Sequence, residues 1–122
     1  MPSLLIVDDD KTLLDVLFEL FSHEHSCDTA ATAEEAFGLL GSKEYDLVIT
    51  DISMPGMSGE VLLGYVKANT PGTPVIFISG SKDRELAQRL RVKGAASFLS
   101  KPFDLAEISE RVVRTLEGRA RS

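Results

Sequence analysis

Five polar residues each end, or directly follow, an apolar segment of the chain, and they are Asp8, Asp9, Asp51, Ser79 and Lys101. Three of them are carboxylates, which would repel one another in a shared pocket and which a divalent cation would hold together. No thiolate or imidazole accompanies them. The cation that such a set of hard oxygen ligands favours is therefore Mg²⁺, or Mn²⁺, rather than Zn²⁺.

The combination of these side chains suits transfer of a phosphoryl group to a side-chain oxygen. One carboxylate would act as the nucleophile, while a metal ion, the lysine and the hydroxyl would neutralise and hold the phosphoryl oxygens. Each feature alone is weak, because a run of aspartates after a strand often caps a helix and a Lys-Pro pair is usually a turn. The prediction rests on their joint occurrence at the ends of strands.

Strands and amphipathic helices alternate five times along the chain, which predicts an α/β fold with a parallel sheet covered by helices on both faces. The strands are predicted at Leu4–Val7, Ser26–Ala30, Leu47–Thr50, Val75–Ile78 and Ala96–Ser100. The second is the least apolar and is expected at an edge, which favours the flavodoxin-like (βα)5 order 2-1-3-4-5. Ligands of such sheets bind outside the carboxyl ends of the strands, where all five polar residues would meet.

Capping residues predict where two of the helices begin. Thr32 and Glu35 form a capping box for the second helix, which is predicted to end at Gly41. Asp104 and Glu107 are predicted to cap the last helix. The segment 54–59 is rich in Pro and Gly and is predicted to be a loop.

Composition excludes several classes of protein. The net charge is −6, which argues against a nucleic-acid-binding surface or a basic membrane-surface helix. The apolar runs are too short to span a bilayer, no signal peptide is recognisable, and Cys27 is the only cysteine, so a cytoplasmic location is expected. Residues 1–118 are predicted to form one domain, and residues 119–122 a frayed tail or the start of a linker.

Nearly the whole chain resembles the receiver domain of two-component response regulators, a flavodoxin-like phospho-acceptor domain. The matching segments are Leu5–Asp10, Val48–Gly59, Phe77–Gly80 and Gly94–Phe103. The resemblance implies that Asp51 is the phosphorylation site. It also implies that Asp9 binds the metal directly, that Asp8 binds it mainly through water, and that the backbone carbonyl of Ser53 is a further ligand.

The resemblance also assigns roles to residues of the last two strands. Ser79 would be the switch hydroxyl, Phe98 the mobile aromatic residue, and Lys101 the lysine of the site, with a cis Lys101–Pro102 peptide bond. Ser79 is expected to move towards the phosphoryl group, and Phe98 to rotate into the space that opens beneath the fourth helix. The phenylalanine carries no hydroxyl for a partner to bind, unlike the tyrosine of some family members.

The implied function is phosphorelay signal transduction, in which a sensor histidine kinase or a histidine phosphotransfer protein supplies the phosphoryl group in the presence of Mg²⁺. The receiver would catalyse its own phosphorylation and dephosphorylation, yet act as a switch rather than as a metabolic enzyme. Its output surface would be the fourth helix, fifth strand and fifth helix, read by an unidentified partner or an attached effector domain. A monomer is expected before phosphorylation and dimerisation after it. Ala96 and Ser97 stand where one DNA-binding subfamily has acidic dimer contacts, so that mode of dimerisation is not expected.

Three alternatives compete with this function, and the residues present argue against the first two. An aspartyl-nucleophile phosphatase would need a second aspartate as general acid two residues after the first, and Ser53 stands there instead. A phosphorylation-independent interaction module would usually have lost an acidic residue or the lysine. The chain could also be the receiver part of a longer regulator or of a hybrid kinase.

Overall fold

A computed structural model describes residues 1–80 and 84–121 of the chain, without the side chains of residues 53, 57 and 119–121. Its parallel sheet consists of β1 (Ser3–Val7), β2 (Ser26–Ala30), β3 (Leu47–Asp51), β4 (Val75–Ser79) and β5 (Ser97–Ser100). The strands lie in the order β2-β1-β3-β4-β5, which confirms the predicted fold class and topology. The weakly apolar β2 lies at an edge, as predicted.

In the described part of the chain, five helices cover the two faces of this sheet. They are α1 (Lys11–Phe21), α2 (Ala33–Ser42), α3 (Gly59–Asn69), α4 (Arg84–Val92) and α5 (Leu105–Arg121). Successive strand residues point to opposite faces, so the sheet builds two separate apolar cores. One core lies between the sheet and α1 and α5, and the other lies between the sheet and α2, α3 and α4.

Thr32 and Asp104 cap their helices as predicted, but one helix ends at a different residue from the one predicted. The Thr32 hydroxyl accepts a hydrogen bond from the Glu35 amide at 3.1 Å, and an Asp104 carboxylate oxygen accepts one from the Glu107 amide at 2.7 Å. The prediction that Gly41 ends α2 is wrong. The left-handed backbone that ends a helix at glycine is absent there, and the chain leaves the helix at Lys43, whose backbone is extended.

The segment predicted as a loop after β3 contains additional structure. Ser53–Met54 pairs with Met57–Ser58 in a short antiparallel hairpin, and Gly56 turns its tip with a φ of 79°. Ser58 then caps α3, because its hydroxyl accepts a hydrogen bond from the Val61 amide at 3.2 Å. The hairpin therefore connects the end of β3 directly to the first turn of α3.

The last helix continues past the boundary expected for the domain. It runs through Gly118 to Arg121, so the end of regular structure does not mark a boundary at residue 118. The division between a domain of residues 1–118 and a tail of residues 119–122 stays a prediction.

Candidate functional site

Strand register brings the three carboxylates together at the carboxyl edge of the sheet. Val7 and Thr50 are paired on β1 and β3, so Asp8 and Asp51, the residues that follow them, lie side by side. Asp8, Asp9 and Asp51 each offer a carboxylate oxygen within 4.8 Å of the others. Asp8 is 1% exposed, Asp51 is partly buried and Asp9 is exposed. The cluster is thus open to solvent on the Asp9 side and closed on the Asp8 side.

The Lys101 side chain faces this cluster. Its ammonium nitrogen lies 3.2 Å from Asp8 Oδ2 and 4.0 Å from Asp51 Oδ2. Its backbone amide donates a 2.7 Å hydrogen bond to the Ser79 carbonyl, which fixes the start of the side chain at the end of β5. Among residues 1–80 and 84–121, one lysine charge faces the three carboxylates, and this excess of negative charge together with the all-oxygen donor set fits a hard divalent cation.

The three consecutive aspartates have three different environments. Both oxygens of Asp8 accept hydrogen bonds, Oδ1 from the Asp10 amide at 2.9 Å and Oδ2 from the Lys101 ammonium at 3.2 Å. Asp10 lies outside the carboxylate cluster and caps α1, with Oδ1 accepting from the amides of Thr12 and Leu13 at 3.0 and 3.3 Å. Asp9 remains as the exposed member of the run that belongs to the cluster.

Ser79 and Phe98 lie on the strands next to Asp51. Ser79 is the last residue of β4, directly after Ile78, the register partner of Asp51, and it is 1% exposed. Phe98 pairs with Phe77 on β4 and is partly buried against the core beneath α2, α3 and α4. The Lys101–Pro102 peptide bond that follows β5 is cis, the conformation implied by the resemblance.

Ser53 lies in the hairpin that follows Asp51. Its backbone pairs with Ser58, and it stands two residues after Asp51 in sequence. Of the predicted site residues, the structure therefore groups Asp8, Asp9, Asp51 and Lys101 by the distances between their side chains. It places Ser53 and Ser79 on the segments that adjoin them.

Sequence reasoning missed the part that Gly59 plays beside the site. The Gly59 amide donates a 2.7 Å hydrogen bond to the Ile52 carbonyl, and a Cβ at Gly59 would lie 2.8 Å from that oxygen and 2.9 Å from Phe77 Cε1. Only a residue without a side chain permits this approach of α3 to the residue after Asp51. A glycine at the junction between loop and helix is the available signal, but glycine content alone predicts only a loop there.

Residues 4–113 match the family model of the response regulator receiver domain. The chain belongs to this family. PmrA of Pectobacterium parmentieri, a transcriptional regulatory protein, is 40% identical to it over 98% of this chain and 55% of the relative. The DNA-binding transcriptional regulator NtrC of Escherichia coli is 35% identical over 91% of this chain and 24% of the relative. The receiver domain thus spans about half the length of PmrA and about a quarter of NtrC.

Solved structures of receiver domains have the same fold. A CheY-like receiver domain protein from Methanospirillum hungatei has a TM-score of 0.94 at 26% identity, covering 99% of this chain and 98% of its own. The response regulator TrrA of Thermotoga maritima, solved in complex with Mg(2+)-BeF, has a TM-score of 0.82 at 31% identity. That match covers 94% of this chain and 99% of TrrA. The family places the chain in two-component signalling, and no helix in the described part of the receiver is long and apolar enough to cross a membrane.

Proposed function

We propose that this receiver domain accepts a phosphoryl group on Asp51 from the phosphohistidine of a sensor histidine kinase or of a histidine phosphotransfer protein. The observation that carries the proposal is the placement of Asp51 within 4.8 Å of two further carboxylates and 4.0 Å from the Lys101 ammonium. Phosphoryl transfer requires positioning and charge neutralisation more than covalent chemistry, and these groups supply both.

Asp51 is the carboxylate best suited to be the nucleophile. Asp8 is 1% exposed and holds Lys101 through Oδ2, whereas Asp9 projects on the exposed side of the cluster. Asp51 is partly buried at the end of β3, the central strand of the sheet. An Asp51 oxygen attacks phosphorus, the P–N bond breaks, and its electron pair leaves with the histidine nitrogen.

The metal in this proposal is Mg²⁺, for which Mn²⁺ can substitute. The carboxylates of Asp9 and Asp51 and the backbone carbonyl of Ser53 would bind it directly, and Asp8 would bind it mainly through water. A divalent cation held by these residues would supply charge neutralisation at the phosphoryl oxygens. Lys101 neutralises the same charge from the other side while its contact with Asp8 holds it in place.

We further propose that Ser79 and Phe98 transmit the phosphorylated state. The Ser79 hydroxyl would donate to a phosphoryl oxygen, since phosphorylation adds nearly two negative charges and strong acceptors. The shift of its loop would let Phe98 turn inward beneath α4. The Phe98 ring is already half-buried. Rotation would therefore gain less free energy of burial than the roughly 1.5–3 kcal/mol expected for a ring that starts fully exposed.

The resulting change would be read on the surface formed by α4, β5 and α5. PmrA and NtrC, by their names, regulate transcription, and each extends well beyond the region matched by this chain. We therefore propose that the signal passes from this surface to an attached effector domain or to a separate output partner. TrrA was solved with Mg(2+)-BeF, and its similarity over nearly the whole domain supports the same chemistry here.

The experiment that tests this function is phosphorylation by a small donor. Wild-type protein incubated with acetyl phosphate and Mg²⁺ should gain a single phosphoryl group by intact-mass spectrometry, and a chelator should abolish the gain. The Asp51→Asn variant should gain none. Labelling that is independent of the divalent ion, or equal labelling of Asp51→Asn, would overturn the proposal.

A further inference from the structure

The fourth helix is weakly anchored to the rest of the domain. Within Arg84–Val92, Leu90 is the only fully buried residue among those the structure describes, and Leu86 is partly buried. The adjacent α3 buries Leu62, Leu63 and Val66. An element with few buried apolar contacts is more easily displaced, so polar contacts have a larger share in fixing its position.

Glu60, in the first turn of α3, makes such contacts with both of its carboxylate oxygens. Oε1 accepts hydrogen bonds from Nε and Nη2 of Arg89 at 2.9 and 2.7 Å, and Oε2 accepts one from Lys93 Nζ at 2.7 Å. Arg89 lies in α4, and Lys93 directly follows its last residue. The hydrogen bonds from Lys93 and then Arg89 hold the pKa of Glu60 below its usual range, so the carboxylate is ionised at neutral pH.

Glu60 is also tied to the acceptor aspartate through the backbone. The residue before it, Gly59, donates the 2.7 Å hydrogen bond to the Ile52 carbonyl, and the Ile52 amide donates a 3.0 Å bond to the Ile78 carbonyl on β4. Ile52 directly follows Asp51. The Glu60 carboxylate that contacts α4 is therefore part of a segment whose backbone is hydrogen-bonded to the residue next to Asp51.

We propose that Glu60, Arg89 and Lys93 form a latch that holds α4 against α3 in the unphosphorylated receiver and so opposes the switch. This inference rests on the proposed phosphorylation of Asp51, and it adds a determinant of how readily the domain responds. If α4 must move for the phosphorylated state to form, contacts that exist only in the unphosphorylated state lower the affinity of the domain for the phosphoryl group. By linkage, breaking them raises that affinity by the same factor.

The matched variants are Glu60→Gln and Glu110→Gln. Glu110 pairs with Arg114 at 2.6 Å one turn away on the same helix, α5. Glu110→Gln therefore removes the same charge and an exposed ion pair, but this ion pair does not join two helices. Two readouts are compared. Hydrogen exchange of the α4 amides reports the latch without any phosphoryl chemistry, and titration with beryllofluoride at saturating Mg²⁺ reports its effect on the switch.

The expected result is faster exchange across α4 in Glu60→Gln and a beryllofluoride affinity about two- to ten-fold higher than in wild type. Glu110→Gln should match wild type in both. The difference between Glu60→Gln and wild type should shrink at about 1 M salt, where the screening length is about 3 Å. Unchanged α4 exchange in Glu60→Gln would overturn the latch itself.

Two further outcomes separate the latch from the proposed function. Faster α4 exchange with an unchanged or weaker beryllofluoride affinity would overturn the coupling, while phosphorylation of Asp51 still stood. Failure of the wild type to bind beryllofluoride, with α4 exchange still faster in the variant, would overturn the proposed function and the coupling together. The contact between α3 and α4 would then be structural only.

Discussion

Lys101 donates a hydrogen bond to Asp8, a residue 93 positions away in the chain, at 3.2 Å. Asp8 is 1% exposed, whereas the Lys101 side chain is 29% exposed, so the carboxylate depends on this partner more than the ammonium does. We predict that Lys101→Met destabilises the metal-free protein by about 1–3 kcal/mol, because it leaves a buried carboxylate without its cation. Urea denaturation in the presence of a chelator measures the loss.

The double variant tests whether the loss comes from this contact. Adding Asp8→Asn to Lys101→Met removes the unpaired charge and should recover part of the stability. Asp9→Asn in the same background is the control, since Asp9 is exposed and any recovery there comes from the general relief of repulsion among the carboxylates. Strictly additive effects of Asp8→Asn and Lys101→Met would show that the pair is not coupled.

Asp9 and Asp10 should separate cleanly into a metal ligand and a helix cap. Asp9→Ala is expected to lower Mg²⁺ affinity strongly while leaving stability without metal unchanged or higher, because one of three mutually repelling carboxylates is gone. Asp10→Ala should leave Mg²⁺ affinity near that of wild type but cost about 1 kcal/mol of stability through the lost cap on α1. Metal titration by NMR together with thermal unfolding gives both quantities, and equal losses of Mg²⁺ affinity would refute the assignment.

The close approach of α3 to Ile52 predicts opposite effects for two glycines of that helix. Gly59→Ala would place a Cβ 2.8 Å from the Ile52 carbonyl oxygen and should destabilise the protein by about 1–3 kcal/mol. Gly64→Ala meets nothing within 4 Å and should stabilise it by about 0.5–1 kcal/mol through helix propensity. Equal effects of the two substitutions in chemical denaturation would contradict the packing described for Gly59.

A polar cluster at the edge strand predicts a pH dependence of stability. Lys43 Nζ and the Tyr45 hydroxyl donate to Asp28 Oδ2 at 2.9 and 2.7 Å, and these bonds lower the pKa of Asp28. A carboxyl whose pKa is lower in the folded protein stabilises it above the unfolded pKa and loses that contribution as pH falls through the folded value. The stability difference between wild type and Asp28→Asn should therefore be largest near neutral pH and shrink as the solution is acidified.

Thermal unfolding from neutral to acid pH measures the difference in stability between wild type and Asp28→Asn. Asp15→Asn, at an exposed position on α1, serves as the control for the loss of one aspartate charge. A gap between wild type and Asp28→Asn that stayed constant down to about pH 2 would rule out the proposed contribution of Asp28.

The strand pattern was predictable because buried parallel strands are continuous apolar runs, and strand ends then determine which polar residues share an edge. That reasoning predicts that Asp8, Asp51 and Lys101 meet at one edge of the sheet, where the Lys101 ammonium lies 3.2 Å from Asp8 and 4.0 Å from Asp51. It does not reach the hairpin between Asp51 and α3, since pairing of two-residue strands depends on local turn geometry. It also does not reach Glu60, whose partners Arg89 and Lys93 lie about thirty positions away and carry no periodic signal.

The identity of the acceptor is tested most directly by chemical trapping of the acyl phosphate. Borohydride reduces a phosphorylated aspartate to homoserine, so protein treated with acetyl phosphate and Mg²⁺, reduced and digested can be sequenced by tandem mass spectrometry. The prediction is homoserine at position 51 and aspartate at positions 8 and 9, with no conversion when Mg²⁺ is chelated. Homoserine at position 8 or 9, or no conversion anywhere in fully folded wild-type protein, would contradict the account.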